Sequence, residues 1–198
     1  MRVEADSKLL ISYLVGGWDS DYAMGFMDDL KSRLANRVQL TSDGHRAYLE
    51  AVEGAFGGDI DYAMLVKIYG TASETAQGRY SPGECIGARK GRIEGSPDPK
   101  HISTSFAERQ NLTMRMQMRR FTRLTNAFSK KFENHMHMVA LYTVWYNYVK
   151  QHKSLKGLSP AMAAGLSATL WSMTDLAEMV DAAWPKPGKR GPYRRAGD

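Results

Sequence analysis

Between residues 8 and 69 the hydrophobic period switches back and forth between that of a strand and that of a helix, and this alternation most restricts the possible folds. Lys8-Leu9-Leu10-Ile11-Ser12-Tyr13-Leu14-Val15 is a short apolar run closed by Gly16-Gly17, which reads as a buried strand, and residues 1–4 read as the end of a strand before it. Asp19 or Ser20 can cap a helix whose apolar positions Tyr22, Ala23, Phe26, Met27, Leu30 and Leu34 recur at helical spacing. Val38-Gln39-Leu40-Thr41 alternates again as a strand, so Asp43 falls at a strand's C-terminal end. A helix from about His45 to Phe56 and a strand over Ile60–Tyr69 follow. The order strand, helix, strand, helix, strand implies an α/β sheet with covering helices.

The rest of the chain reads differently. Residues 70–100 are polar and broken by Ser81-Pro82-Gly83, Gly91 and Gly95-Ser96-Pro97, which predicts a long loop with one short hairpin. From Ser105 the pattern is helical, with one helix to about Ala127 and a second from Ser129 to Lys150. Ser159-Pro160 opens a short helix, Ser as cap and Pro in the first turn, and Thr174 is expected to cap another through Val180. A tail with Lys186, Lys189, Arg190, Arg194 and Arg195 among Pro and Gly reads as a disordered, phosphate-binding arm.

Charge is distributed unevenly. Residues 1–64 carry 11 acids and 6 bases, whereas residues 65–198 carry 10 acids and 21 bases. The second part is therefore the polyanion-facing one. Within it Arg109, Arg115, Arg119, Arg120, Arg123, Lys130 and Lys131 occur with no acid between them, where a solvated helix ordinarily mixes signs. No apolar run reaches the roughly 18 residues of a membrane span. With an N-terminus lacking an apolar signal region and a single cysteine, Cys85, the expectation is a soluble cytoplasmic protein, associated with the nucleoid through DNA.

Two acids carry the chemistry. Asp43 lies in Thr41-Ser42-Asp43-Gly44-His45, where an Asp side chain ordinarily bonds nearby backbone amides in a turn. Glu108 lies in Ser105-Phe106-Ala107-Glu108, the spacing of a capping box. Both have structural readings. Beyond Glu108, however, Asn111, Leu112, Arg115 and Arg119 recur at intervals of a helical face, so an acid leads a stripe of polar and cationic groups. Carboxylates of this kind hold Mg²⁺ or Mn²⁺ rather than zinc, and cations beside them orient a phosphodiester backbone.

The same residues resemble a known family. Thr41-Ser42-Asp43-Gly44-His45-Arg46-Ala47-Tyr48, with the apolar strand before it, resembles the second-Asp segment of DDE-type transposases of bacterial insertion sequences, especially the insertion-sequence-one group. Glu108-Arg109-Gln110-Asn111, with Arg115 after it, is similar to that family's final-Glu helix. Tyr146-Asn147-Tyr148, His152, Leu155 and Leu158-Ser159-Pro160-Ala161 are similar to its closing segment.

The resemblance implies an α/β, RNase H-like mixed sheet with flanking helices, incomplete at the N-terminal strand and followed by C-terminal helices. It implies a catalytic domain over residues 1–166, with 167–198 a short helix and basic tail. By position, Asp43 and Glu108 are its metal-binding catalytic residues, with Mg²⁺ or Mn²⁺ as cofactor. Arg115 contacts DNA, within a DNA-binding stretch of Arg109, Asn111, Arg115, Arg119 and Arg123. The partners are element ends and target DNA, with a homo-oligomer as the active form. Asp6, in Glu4-Ala5-Asp6-Ser7-Lys8, corresponds to the turn between the family's second and third strands, so the first Asp of the triad is expected upstream. Two alternatives stay open: a non-catalytic DNA-binding remnant, and an RNase H-like nuclease using another acid such as Asp6.

Other groups offer less. His135-Met136-His137 points its imidazoles apart on a helix and has no Cys or acid beside it. No GxxxxGK[ST] or GxGxxG occurs, so nucleoside-triphosphate and dinucleotide use are unsupported.

Overall fold

Asp19 sets the start of the first helix: its Oδ1 accepts the amide of Tyr22 at 3.1 Å, capping α1 (Ser20–Ser32). Ala23, Phe26, Met27 and Leu30 are the buried positions of this helix, spaced as one face requires. At its C-terminal end Asp29 takes a two-pronged contact from Arg33 and the Ser12 hydroxyl at 2.5 Å, which ties the helix to the strand before it. The structure is a computed structural model that describes residues 1–70, 85–122, 126–127, 129–185 and 188. The chain divides into two compact units, Met1–Thr143 and Val144–Asp198.

In the first unit β1 (Arg2–Val3) and β2 (Leu10–Ser12) form an antiparallel pair. The turn between them is held by Glu4, whose carboxylate accepts the amides of Asp6 at 2.9 Å and Ser7 at 2.5 Å. Asp6 is exposed in that turn. After α1, β3 (Gln39–Ser42) runs parallel to β4 (Asp61–Tyr69), with Ser42 opposite Met64, and α2 (Ala47–Phe56) connects them. β5 (Cys85–Glu94) completes a three-stranded mixed sheet in the order β3-β4-β5, antiparallel to β4. The molecule is thus a mixed α/β protein.

β5 corrects the expectation of a loop over residues 70–100. Its side chains are mostly exposed on both faces, so no apolar alternation marks it. What holds it is the backbone ladder to β4, from Tyr62↔Glu94 to Tyr69↔Cys85. Residues 71–84 lie outside the described residues.

The core lies where α1 and α2 pack on the sheet: Leu30, Val52, Ile60 and Tyr62 are each at most 2% exposed, with Leu40, Phe26 and Phe56 around them. Burying an apolar side chain of this size contributes about 1.5–3 kcal/mol, so this cluster dominates the unit's stability. At the far end of β4, Asp61 binds the Arg37 guanidinium at 2.8 Å and the Ser96 amide at 2.7 Å. Gly95, at φ +65°, makes this possible, because a Cβ there would stand 2.2 Å from Asp61 Oδ1. Two helices follow, α3 (Ser105–Gln117) and α4 (Phe132–Val144).

The second unit opens with a π-helical turn over Trp145–Val149. Ser159 caps α5 (Pro160–Ala163) as the sequence predicts, its Oγ accepting the Met162 amide at 3.3 Å. Tyr148 stacks on Trp171 at 4.3 Å between ring centres. α6 (Met173–Ala183) starts two residues earlier than a Thr174 cap would place it. Ser172 is the cap, and Ser172 and Asp175 exchange side-chain to backbone bonds at 2.7 and 3.1 Å. Lys186, Lys189, Arg190, Arg194 and Arg195 of the tail lie outside the described residues. Among the described residues no helix is long and apolar enough to cross a membrane.

Candidate metal and nucleic-acid site

Asp43 follows the last residue of β3 and is exposed. Its Oδ1 accepts the amide of His45 at 3.2 Å, the turn contact that Ser-Asp-Gly leads one to expect. Beneath it the Ser42 hydroxyl and the Tyr62 phenol share a buried hydrogen bond of 2.7 Å. Gly44 lies flat against Val66, where a Cβ would come within 3.2 Å of Val66 Cγ2. Burial, and then the charge of Asp43, push the Tyr48 phenol above its ordinary pKa. Burial does the same for Tyr62, partly offset by Ser42, with Asp43 adding to the rise. The two phenols therefore stay neutral at physiological pH and add no charge beside Asp43.

Glu108 is placed by α3. The capping-box expectation for Ser105 and Glu108 does not hold, because Thr104 is the residue flanking the helix and Ser105 is already helical. Glu108 Oε1 instead accepts the Thr104 hydroxyl at 2.6 Å and pairs with Lys67 Nζ at 2.6 Å. Lys67 lies on β4, three positions beyond Met64, the partner of Ser42, so this pair forms at the same end of the sheet as Asp43. The Lys67 ammonium, followed by the Thr104 hydroxyl, holds the Glu108 carboxyl below its usual range. Glu108 in turn raises the Lys67 ammonium. Sequence reasoning missed Lys67; the available signal was a lone cation between Val66 and Ile68 in an apolar strand.

Along α3, Gln110 and Met114 are buried, and Gln110 Nε2 donates to the Tyr142 phenol of α4 at 3.0 Å. That leaves Glu108, Arg109, Asn111 and Arg115 exposed beside the buried face. Arg119 departs from the stripe. The helix ends at Gln117, Met118 is extended and 6% exposed, and Arg119–Phe121 is a single 3-10 turn, not the continuation to Ala127 that the pattern predicts. A continued helix would stack Arg115, Arg119 and Arg123 at four-residue intervals with no acid to offset them, and such like-charged neighbours weaken a helix by about 0.2–0.5 kcal/mol per pair. Arg119 remains exposed, and Arg123 lies outside the described residues. Arg120 is half-buried, with Nη1 shielded from solvent and lacking a hydrogen-bond partner among the described residues.

The remaining candidates fall into packing roles. His135 packs on the Phe121 ring at 5.4 Å, and His152 meets Tyr146 edge-on at 5.0 Å. Among the described residues no three His, Cys, Asp or Glu side chains converge as a metal cluster, so Asp43 and Glu108 do not form one with Asp6 or Glu4.

Fold and site together define a mixed α/β protein that presents Asp43 and the Lys67–Glu108 pair at one end of its sheet, with an arginine-bearing helix beside them. Compared with family models, curated proteins and solved structures, the chain matches none.

Proposed function

We propose that this chain is the catalytic region of a DDE-type DNA transposase of a bacterial insertion sequence, built on an RNase H-like fold. The observation that carries the proposal is the Lys67–Glu108 ion pair, which anchors the start of α3 at the end of the sheet that Asp43 occupies. Asn111 and Arg115 are exposed further along the same helix. The antiparallel β1–β2 pair, α1 and the parallel β3–α2–β4 unit occur in the order this reading requires.

The donor set fits Mg²⁺ or Mn²⁺, because both carboxylates are exposed and these cations accept one or two carboxylates together with waters and substrate phosphates. When bound, the cation supplies Lewis acidity and lowers the pKa of a water or 3′-hydroxyl. Asp43 and Glu108 would hold it. Lys67 pairs with the Glu108 carboxylate as its counter-ion, and would be free to meet a DNA phosphate were a dication bound there. Arg115 and Arg119 fix the backbone so that the attacking oxygen and the scissile phosphate are in line. The reading requires a third carboxylate to complete the site.

The test is Mg²⁺-dependent nicking and joining of DNA carrying the ends of the element. It is run on this chain and on the reading frame extended upstream, each with Asp43→Asn and Glu108→Gln variants. Activity lost in both variants supports the proposal, and activity indifferent to them ends it. A second reading, a non-catalytic DNA-binding protein, is favoured by one observation: Glu108 already carries a lysine counter-ion. In that case DNA binding persists in both variants and no cleavage occurs in either form.

A further inference from the structure

Beside the start of α2 and the middle of α3 the first unit carries an open cleft of about 420 Å³, whose walls include Trp18, Tyr22, His45, Tyr48, Asn111 and Met114. Its size lies within the roughly 300–1,000 Å³ of ligand clefts. Trp18 is 77% exposed, which wastes a large apolar ring if nothing lies on it. Yet the ring is held in place: it leans on His45 at 4.9 Å, and His45 meets Tyr48 edge-on at 5.3 Å. The loop before it packs closely on the first turn of α1. Gly16 lies so close to Tyr22 that a Cβ would come within 1.8 Å of the ring, and Gly17 so close to Asp19 that one would come within 2.9 Å.

We infer that this cleft binds an unpaired nucleobase of the DNA, stacked on Trp18, and so recognises single-stranded or unwound ends next to the Asp43–Glu108 site. The inference rests on the reading that the chain binds DNA. An exposed indole with a cation within reach is the combination by which proteins hold unstacked bases: aromatic faces take the base and cations take the backbone. Here the cation is Arg115, one helical turn beyond Asn111 on the same exposed face of α3. Asn111 offers both a donor and an acceptor to a base edge, and Asp19, whose Oδ1 caps α1, also lines the cleft.

The experiment measures anisotropy of labelled DNA in EDTA, so that no outcome depends on catalysis. Three probes are compared: a blunt duplex, the same duplex with a short 3′ overhang, and that overhang made of abasic sites. Stacking of one base is worth roughly a five- to 150-fold gain in affinity. The native chain is expected to bind the overhang more tightly than the blunt duplex by a factor in this range. Trp18→Ala and the abasic probe should each abolish the gain, Trp18→Phe should retain most of it, and duplex binding should stay unchanged throughout. Duplex binding with no overhang gain, or a gain that survives either Trp18→Ala or the abasic probe, overturns the cleft assignment alone. Absence of binding to every probe at low salt overturns the DNA reading and this inference together.

Discussion

Lys67 on β4 and Glu108 on α3 meet at 2.6 Å, with the lysine ammonium lying on the carboxylate that the proposed metal ion would use. The pair links sheet to helix and also competes with the dication the site is proposed to bind. Replacing Lys67 by Met should therefore let Glu108 titrate nearer its ordinary 4.5 and tighten Mn²⁺ binding several-fold, as read by calorimetry or paramagnetic broadening. The signs of the two shifts also set a pH window. Glu108, lowered in the folded chain, contributes stability present above its unfolded pKa and lost as pH falls through its folded value. Lys67, raised, contributes stability present below its unfolded 10.5 and lost as pH climbs through its folded value. Urea midpoints followed against pH should show both limbs flattened in Lys67→Met; weaker Mn²⁺ binding in that variant would refute the competition.

At the other end of β4, Arg37 first, and then the Ser96 amide, pull Asp61 down from 3.8 to about 2. Its stabilising effect is fully present above pH 3.8 and disappears as pH falls through about 2. Asp61→Asn should be less stable at neutral pH and lose less stability than the native chain between those values. Parallel acid-unfolding curves for the two proteins would show that the clamp contributes nothing.

Gly95 enforces that clamp. Gly95→Ala places a methyl 2.2 Å from Asp61 Oδ1 and 2.5 Å from the Ile60 carbonyl, at a φ of +65° that costs an L-residue about 1–3 kcal/mol before any clash. Denaturant unfolding should show a loss of at least that size. Gly58→Ala, where a Cβ meets nothing within 4 Å, is the control and should be near neutral.

Arg115 is exposed beside Asn111 without an acid in its stretch of sequence. If it neutralises one phosphate, Arg115→Ala should weaken binding equally for unrelated duplexes and reduce the slope of log affinity against log salt by about 0.9. An unchanged slope would take Arg115 out of the interface.

Much of the fold can be read from local pattern. Ala23, Phe26, Met27 and Leu30 announce α1, Asp19 announces its start, and Ser159-Pro160 announces α5, because each signal lies within one or two turns of the backbone it governs. β5 could not be read this way, since Cys85–Glu94 buries neither face and has only its ladder to β4. The helix end at Gln117 was hidden because apolar and basic residues continue past it at plausible spacing. Ser105-x-x-Glu108 carried a capping signal that Lys67 and Thr104 override.

By itself, then, the sequence determined the succession of strands and helices, the uneven charge, and the exposed positions of Asp43 at a strand end and Glu108 near a helix start. Periodicity, caps and glycines act over a few residues, and they leave the same trace wherever the segment is finally packed. Only the tertiary structure decided that Lys67 faces Glu108, that Trp18 rests on His45, and that Asp61 gathers Arg37 and Ser96. Each of these depends on the register of one element against another. That register follows from how the buried faces fill the core, which no local pattern records.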